Sequence, residues 1–124
     1  MTGSLMRIKP GGLRELHWHP NADEWQYYLS GRARMSVFGS HGRVRHEEFG
    51  PGDVGYAPQG YGHYIENAGS EDLEVLIVLN DGKYESISLS AWMAANPHLL
   101  LATNFRVPES TFDKFPNRQR FMPG

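Results

Sequence analysis

The sequence has no cysteine among its 124 residues. Disulfides, thiolate metal ligands and cysteine nucleophiles are therefore excluded, and any metal must be held by nitrogen and oxygen. An excess of either charge is missing too: 12 Lys and Arg stand against 14 Asp and Glu, a formal net charge of -2. The basic residues are scattered, which leaves no electrostatic footprint for nucleic acid. No run approaches the roughly 18 apolar residues of a membrane span. The opening Met1-Thr2-Gly3-Ser4-Leu5-Met6 lacks the apolar centre of a signal peptide. The cytoplasm is the expected location, with neither nucleic acid nor membrane as a partner. Internal repeats, low-complexity tracts and charge runs are absent, which excludes a solenoid or a disordered tail.

What the sequence does contain is turn chemistry at short intervals. Pro10-Gly11-Gly12, Ser30-Gly31, Gly50-Pro51-Gly52, Pro58-Gln59-Gly60 and Ala68-Gly69-Ser70 separate runs at 5–8, 13–19, 25–29, 33–38, 44–49, 54–57, 63–67 and 73–79. These runs are alternating, β-branched or aromatic, the pattern of strands. About eight of them at such spacing predict an all-β sandwich or barrel. The length suits one domain, 1–124, with the strands at about 5–80. After Asn80-Asp81-Gly82 the pattern changes. Residues 88–95 carry a serine cap and helical apolar spacing and stop at Asn96-Pro97, which predicts a short helix. A second is predicted from Pro108 to Lys114, ended by Pro116, with an irregular tail after it. This C-terminal segment, about 86–124, is expected to serve packing or dimerisation. The apolar Leu99-Leu100-Leu101 and an outward-facing Trp18 favour a homodimer.

His17-Trp18-His19 on a strand puts two imidazoles on one face and Trp18 on the other. A turn at Pro20-Asn21 can return the chain so that Glu24 stands beside them, and His63 opens a later strand after a Pro/Gly turn. Three imidazoles and one carboxylate offer no soft donor. An octahedral ion held by four protein ligands keeps two positions for water or substrate, whereas a tetrahedral zinc would keep none. His41, His46 and His98 lie outside this set and are expected at the surface.

Gly11, His17, His19, Glu24 and Gly31, followed by Gly52, Pro58, Gly60, His63 and Asn67, match the two motifs of the cupin family. That resemblance implies a double-stranded β-helix, or jelly-roll barrel. The segments Arg14-Glu15-Leu16-His17-Trp18-His19, Glu24-Trp25-Gln26-Tyr27-Tyr28 and Gly62-His63-Tyr64-Ile65-Glu66-Asn67 further resemble one cupin domain of bacterial oxalate decarboxylases, the second of that family's two. The likeness runs over about 5–105. It implies a manganese ion on His17, His19, Glu24 and His63, with iron, nickel, zinc or copper able to occupy the same donors. It also implies that Arg14 grips the oxalate and that dioxygen takes part, oxalate giving carbon dioxide and formate. A planar guanidinium suits the first of these tasks, since it can bind a carboxylate with two parallel bonds.

Two features depart from that family. Its members pair two cupin domains in a chain, and one is present here. The family's mobile lid, which carries a proton-donating glutamate, corresponds to a shorter Asp81-Gly82-Lys83-Tyr84-Glu85-Ser86-Ile87-Ser88, while the other domain's glutamate aligns with the apolar Ile77. Glu85 is the nearest candidate acid. Three expectations therefore stand: a decarboxylase, an oxidase that releases two carbon dioxide molecules and peroxide because no acid is at hand, or a module that binds a small carboxylate without turnover. A phosphate-binding cluster, which a sugar-phosphate isomerase would need, is missing near the motifs.

Overall fold

The structure, a computed structural model, describes residues 1–118 and 121–123. Among these residues nine strands follow one another: β1 (Thr2–Ile8), β2 (Leu13–Trp18), β3 (Glu24–Ser30), β4 (Ala33–Phe38), β5 (Val44–Phe49), β6 (Val54–Ala57), β7 (Gly62–Asn67), β8 (Leu73–Leu79) and β9 (Ile87–Ser88). Two helices come after them, α1 (Leu89–Ala94) and α2 (His98–Phe105), then a 3-10 turn over Glu109–Phe112. The strands form two antiparallel sheets, ordered β1-β8-β3-β6 and β5-β4-β7-β2-β9. Their inner faces enclose Ile8, Tyr28, Met35, Ile65, Leu73, Val75 and Ile77. This is the expected jelly roll, built as two facing sheets. No ladder among the described residues closes them into one barrel.

The eight predicted strands are all present, and β3 and β8 show why they form. In β8 buried Leu73, Val75, Ile77 and Leu79 alternate with more exposed residues, a period-2 apolar face against the opposite sheet. The turn after β3 depends on Gly31, at φ 84°, where a Cβ would lie 2.8 Å from the Asp72 carbonyl. Asn67, buried at the end of β7, donates to the carbonyls of Ile8 and Glu71 at 2.9 and 2.7 Å and accepts from the Gly69 N–H. Its motif position is thus structural.

The C-terminal segment differs from expectation. α1 begins as predicted, with the Ser88 hydroxyl accepting from the Ala91 N–H. The segment predicted as a second helix at 108–114 holds only the 3-10 turn, while a helix not predicted, α2, spans His98–Phe105. Leu101 and Ala102 of α2 pack on Phe112, and Leu99 and Leu100 remain exposed. Three consecutive leucines carry no helical period, so the pattern was invisible until Phe112 supplied the partner. Trp18 faces outward as expected, but the edge of Trp92 from α1 covers part of it, ring centres 5.9 Å apart. The tail is irregular, yet it lies against β2: the N–H groups of Leu13 and Glu15 donate to the carbonyls of Pro123 and Phe121.

One irregularity of β2 matters for the site. Leu13 and Arg14 pair with Glu66 and Ile65, but His17 pairs with His63, so β2 holds one residue more than β7 between Arg14 and His17. Strict alternation would place residues three apart on opposite faces. The β-bulge cancels that inversion, and Arg14, His17 and His19 all point inward and are buried.

Candidate metal centre

β2 carries His17 and leads directly into His19, β3 opens on Glu24, and β7 brings His63 directly opposite His17. One donor atom from each of the four lies within 4.8 Å of the others, and all four residues are buried. The predicted set is therefore assembled by three neighbouring elements of the two sheets.

The ring orientations are fixed from behind. His17 Nδ1 donates to the Glu15 carbonyl at 2.6 Å, His19 Nδ1 to the Glu85 carbonyl at 2.6 Å and His63 Nδ1 to the Tyr61 carbonyl at 2.9 Å. A carbonyl can only accept, so each Nδ1 carries the hydrogen and each Nε2 presents a lone pair inward. The Nε2 atoms of His19 and His63 nevertheless lie 2.8 and 3.2 Å from Glu24 Oε2. Lone pairs meeting a carboxylate oxygen at such distances require a shared proton or a cation between them. Burial, with the like charges of His63 and Arg14, pushes the His17 imidazole down to about 2, which keeps it neutral and able to ligate. Burial opposes ionisation of Glu24, but the His19 and His63 side chains and the Gln26 amide beside it outweigh this and hold the carboxyl well below its ordinary range. Three imidazoles around an ionised carboxylate fit a divalent ion with no thiolate demand.

Glu24 is itself held. Gln26 Nε2 donates to Glu24 Oε1 at 2.8 Å, and the Tyr28 hydroxyl donates to Gln26 Oε1 at 2.6 Å. These residues occupy one face of β3 at a spacing of two. Tyr28 is wholly buried and stacks on Phe49. A Cβ at position 55 would collide with the Gln26 amide, so Gly55 makes room for this chain. Outer partners of this kind orient a ligand and tune its basicity. The sequence offered a cue in the alternation Glu24, Gln26, Tyr28, but partners could not be assigned from it.

Arg14, Glu24 and His17 share a cavity of about 360 Å³ with Thr2, Ser4, Met6, Ile77, Tyr84 and Phe121. Arg14 is 1% exposed. One terminal nitrogen donates to the Tyr84 hydroxyl at 3.2 Å and to Ser86 Oγ at 3.0 Å, and its guanidinium lies 3.9 Å from the centre of the Phe121 ring. Its Nε and other terminal nitrogen have no partner among the described residues. Buried donors left unpaired are costly, on the order of 1–3 kcal/mol each, more when charged. An anion in the cavity would remove that cost.

Glu85 reaches the centre differently from the expectation. Its backbone carbonyl orients His19, whereas its carboxylate is half-exposed and pairs with Lys83. Tyr84 and Ser86, its neighbours, are the side chains that face Arg14, and neither was singled out by the sequence. Tyr84 also sets its ring edge toward His19, centres 5.5 Å apart. Ile77 lines the cavity as an apolar wall. His41 and His98 are exposed, as is His46, which hydrogen-bonds Ser36. A second hollow, about 780 Å³, lies on the outward face of the five-stranded sheet, between Leu16, Phe38, Val44 and Tyr61, and reaches the backs of His17 and His63.

Comparison with known proteins matches the cupin sequence family over residues 1–112. The chain is a cupin. This cupin is 47% identical over 111 residues to oxalate decarboxylase OxdC of Bacillus subtilis, covering 85% of this chain and 29% of that protein. It is 42% identical over 120 residues to an oxalate decarboxylase of Arthroderma benhamiae, covering 96% of this chain and 28% of that one. A solved structure from work on the Mn(II) centres of Bacillus subtilis oxalate decarboxylase superimposes with a TM-score of 0.93 at 40% identity, over 98% of this chain and 32% of that chain. The cupin thus spans less than a third of the length of these relatives. Among the described residues no helix is long and apolar enough to cross a membrane.

Proposed function

We propose that this cupin holds a manganese ion on His17, His19, Glu24 and His63 and acts on oxalate or a similar small carboxylate in the manner of the oxalate decarboxylases it resembles. The observation that supports this most directly is Arg14: a buried guanidinium with two unpaired donors, in the same cavity as His17 and Glu24. A carboxylate there would satisfy Arg14 at one end and leave its other oxygens toward the metal donors. The ion, when bound, supplies Lewis acidity and one-electron redox chemistry. The chain supplies the rest. Tyr84 and Ser86 hold Arg14 from one side and Phe121 from another, so its unpaired edge is presented ready-oriented. The carbonyls of residues 15, 61 and 85 keep three Nε2 atoms on the donor cluster.

One observation favours oxidase chemistry as a second reading. Among the described residues lining the cavity, Glu24 is the only carboxylate, and the hydroxyl protons come from Thr2, Ser4 and Tyr84. Formation of formate requires a proton delivered to carbon, and hydroxyl groups as a class are weaker acids than a carboxylic acid and poorer donors for it. The manganese-loaded protein under air, given oxalate, separates the possibilities by its products. Formate with carbon dioxide supports the decarboxylase, and peroxide with carbon dioxide and no formate supports the oxidase. Tight oxalate binding with neither product would reduce the proposal to a carboxylate-binding module, and no binding at all would overturn it.

A further inference from the structure

The cavity is larger and more apolar than oxalate needs. At about 360 Å³ it has room for about a dozen waters at ~30 Å³ each, and it falls within the range of pockets that enclose organic ligands well beyond six non-hydrogen atoms. Arg14, His17 and Glu24, from β2 and β3, form its buried polar part. The rest of the lining comes from β1, β8 and the tail, where Thr2, Ser4 and Arg7 add polar groups beside an apolar wall. Ser4 pairs across the ladder with Ile77 and Met6 with Val75, so Ser4, Met6 and Ile77 present one face to the cavity. Phe121 and Met122 complete this wall and are half-exposed at its rim. Ile77 is 3% exposed and Met6 packs against the core, so the wall is part of the fold rather than a loose surface. Apolar surface facing a carboxylate anchor is satisfied by a ligand with an apolar arm, whereas a bare two-carbon dicarboxylate would leave that wall in water.

We infer that the site takes a 2-oxo or 2-hydroxy carboxylate bearing an apolar substituent: the carboxylate on Arg14, the adjacent oxygen toward the metal donors, the substituent against Met6, Ile77 and Met122. This rests on the reading that Arg14 and the histidine cluster together receive a carboxylate, and it narrows the substrate class beyond oxalate. Burying each added methylene against such a wall tightens binding about fourfold.

The test uses the full chain loaded with manganese, its metal content measured, and follows water-proton relaxation as ligands displace water from the ion. Oxalate is the reference, and glyoxylate, pyruvate, 2-oxobutanoate, 2-oxopentanoate and 4-methyl-2-oxopentanoate form the series. The expected result is that oxalate binds and that affinity climbs along the series by about fourfold per methylene. Ile77→Thr and, at the exposed rim, Met122→Ser should each flatten the climb while leaving oxalate affinity and metal content unchanged. Met122→Ser carries this arm should Ile77→Thr not fold. Oxalate binding with a flat or falling series would overturn the inference alone. Failure of oxalate and every oxo acid to bind the loaded protein would overturn the carboxylate reading with it. A climb equally steep in both variants would remove this wall from the assignment.

Discussion

Two hollows of this cupin meet at His17 and differ in nearly every chemical respect. The outer one is the larger, about 780 Å³ against about 360 Å³, and is lined by Leu16, Phe38, Val44 and Tyr61. The inner one holds a buried guanidinium with donors unpaired among the described residues, an ionised carboxylate and the neutral imidazole of His17. Size and greasiness mark where something can sit. Uncompensated polar groups, which a fold tolerates only at a cost, mark where chemistry is expected.

The contrast can be broken most severely at Glu24. Glu24→Gln keeps the shape but removes the one anionic ligand, and manganese affinity should drop on the order of a hundredfold or more, read by metal titration. Arg14→Ala should leave metal content intact and weaken oxalate binding by roughly 10–100-fold, the worth of a charge-assisted pair of hydrogen bonds. Arg14→Lys should recover little of this, because a point charge cannot present two parallel donors. Gln26→Leu, which releases Glu24 Oε1, should cost about tenfold in metal affinity with oxalate contacts untouched.

Acid should act on the inner site in a smaller, graded way. His17 sits at about 2 against an ordinary 6.5, and Glu24 sits below its ordinary 4.5. Both therefore take up protons more readily in the unfolded chain than in the folded one. Their stabilising contribution is complete above about pH 6.5 and declines as the pH falls. The thermal midpoint of the metal-free protein should drop between about pH 7 and about pH 4, and manganese should oppose the drop until protons displace it. The smallest effect belongs to the outer hollow. Phe38→Ser should leave metal and oxalate affinities unchanged, with stability altered by less than about 0.5 kcal/mol, because Phe38 is 56% exposed. A clear loss of oxalate binding there would erase the distinction between the two hollows.

The sequence made the strands and the four donors legible for the same reason: alternation with a period of two is a strong pattern, and His17, His19, Glu24 and His63 sit at strand positions fixed by Gly and Pro turns. What stayed hidden depended on contacts between distant segments. α2 needed Phe112, the covering of Arg14 needed Phe121 from the tail, and the role of residue 85 passed to its backbone, which has no letter of its own. Tyr84 and Ser86 stand in a short irregular segment with no period to reveal which side chains face Arg14, and the Glu85 between them turns its carboxylate to Lys83.

The extra residue in β2 gives this cupin a property that its ligand set alone would not have. The strand works as two rulers joined by a splice: one sets the histidines against β7, the other sets the guanidinium, and the splice alone decides that they read out on the same side. Straightening the bulge with every residue kept would leave all the ligands in the sequence yet turn Arg14 to the opposite face, whereas deleting one residue between Arg14 and His17 would restore plain alternation with both still inward. Under the proposed function, carboxylate recognition would depend on the bulge as much as on Arg14 itself, while metal retention would not.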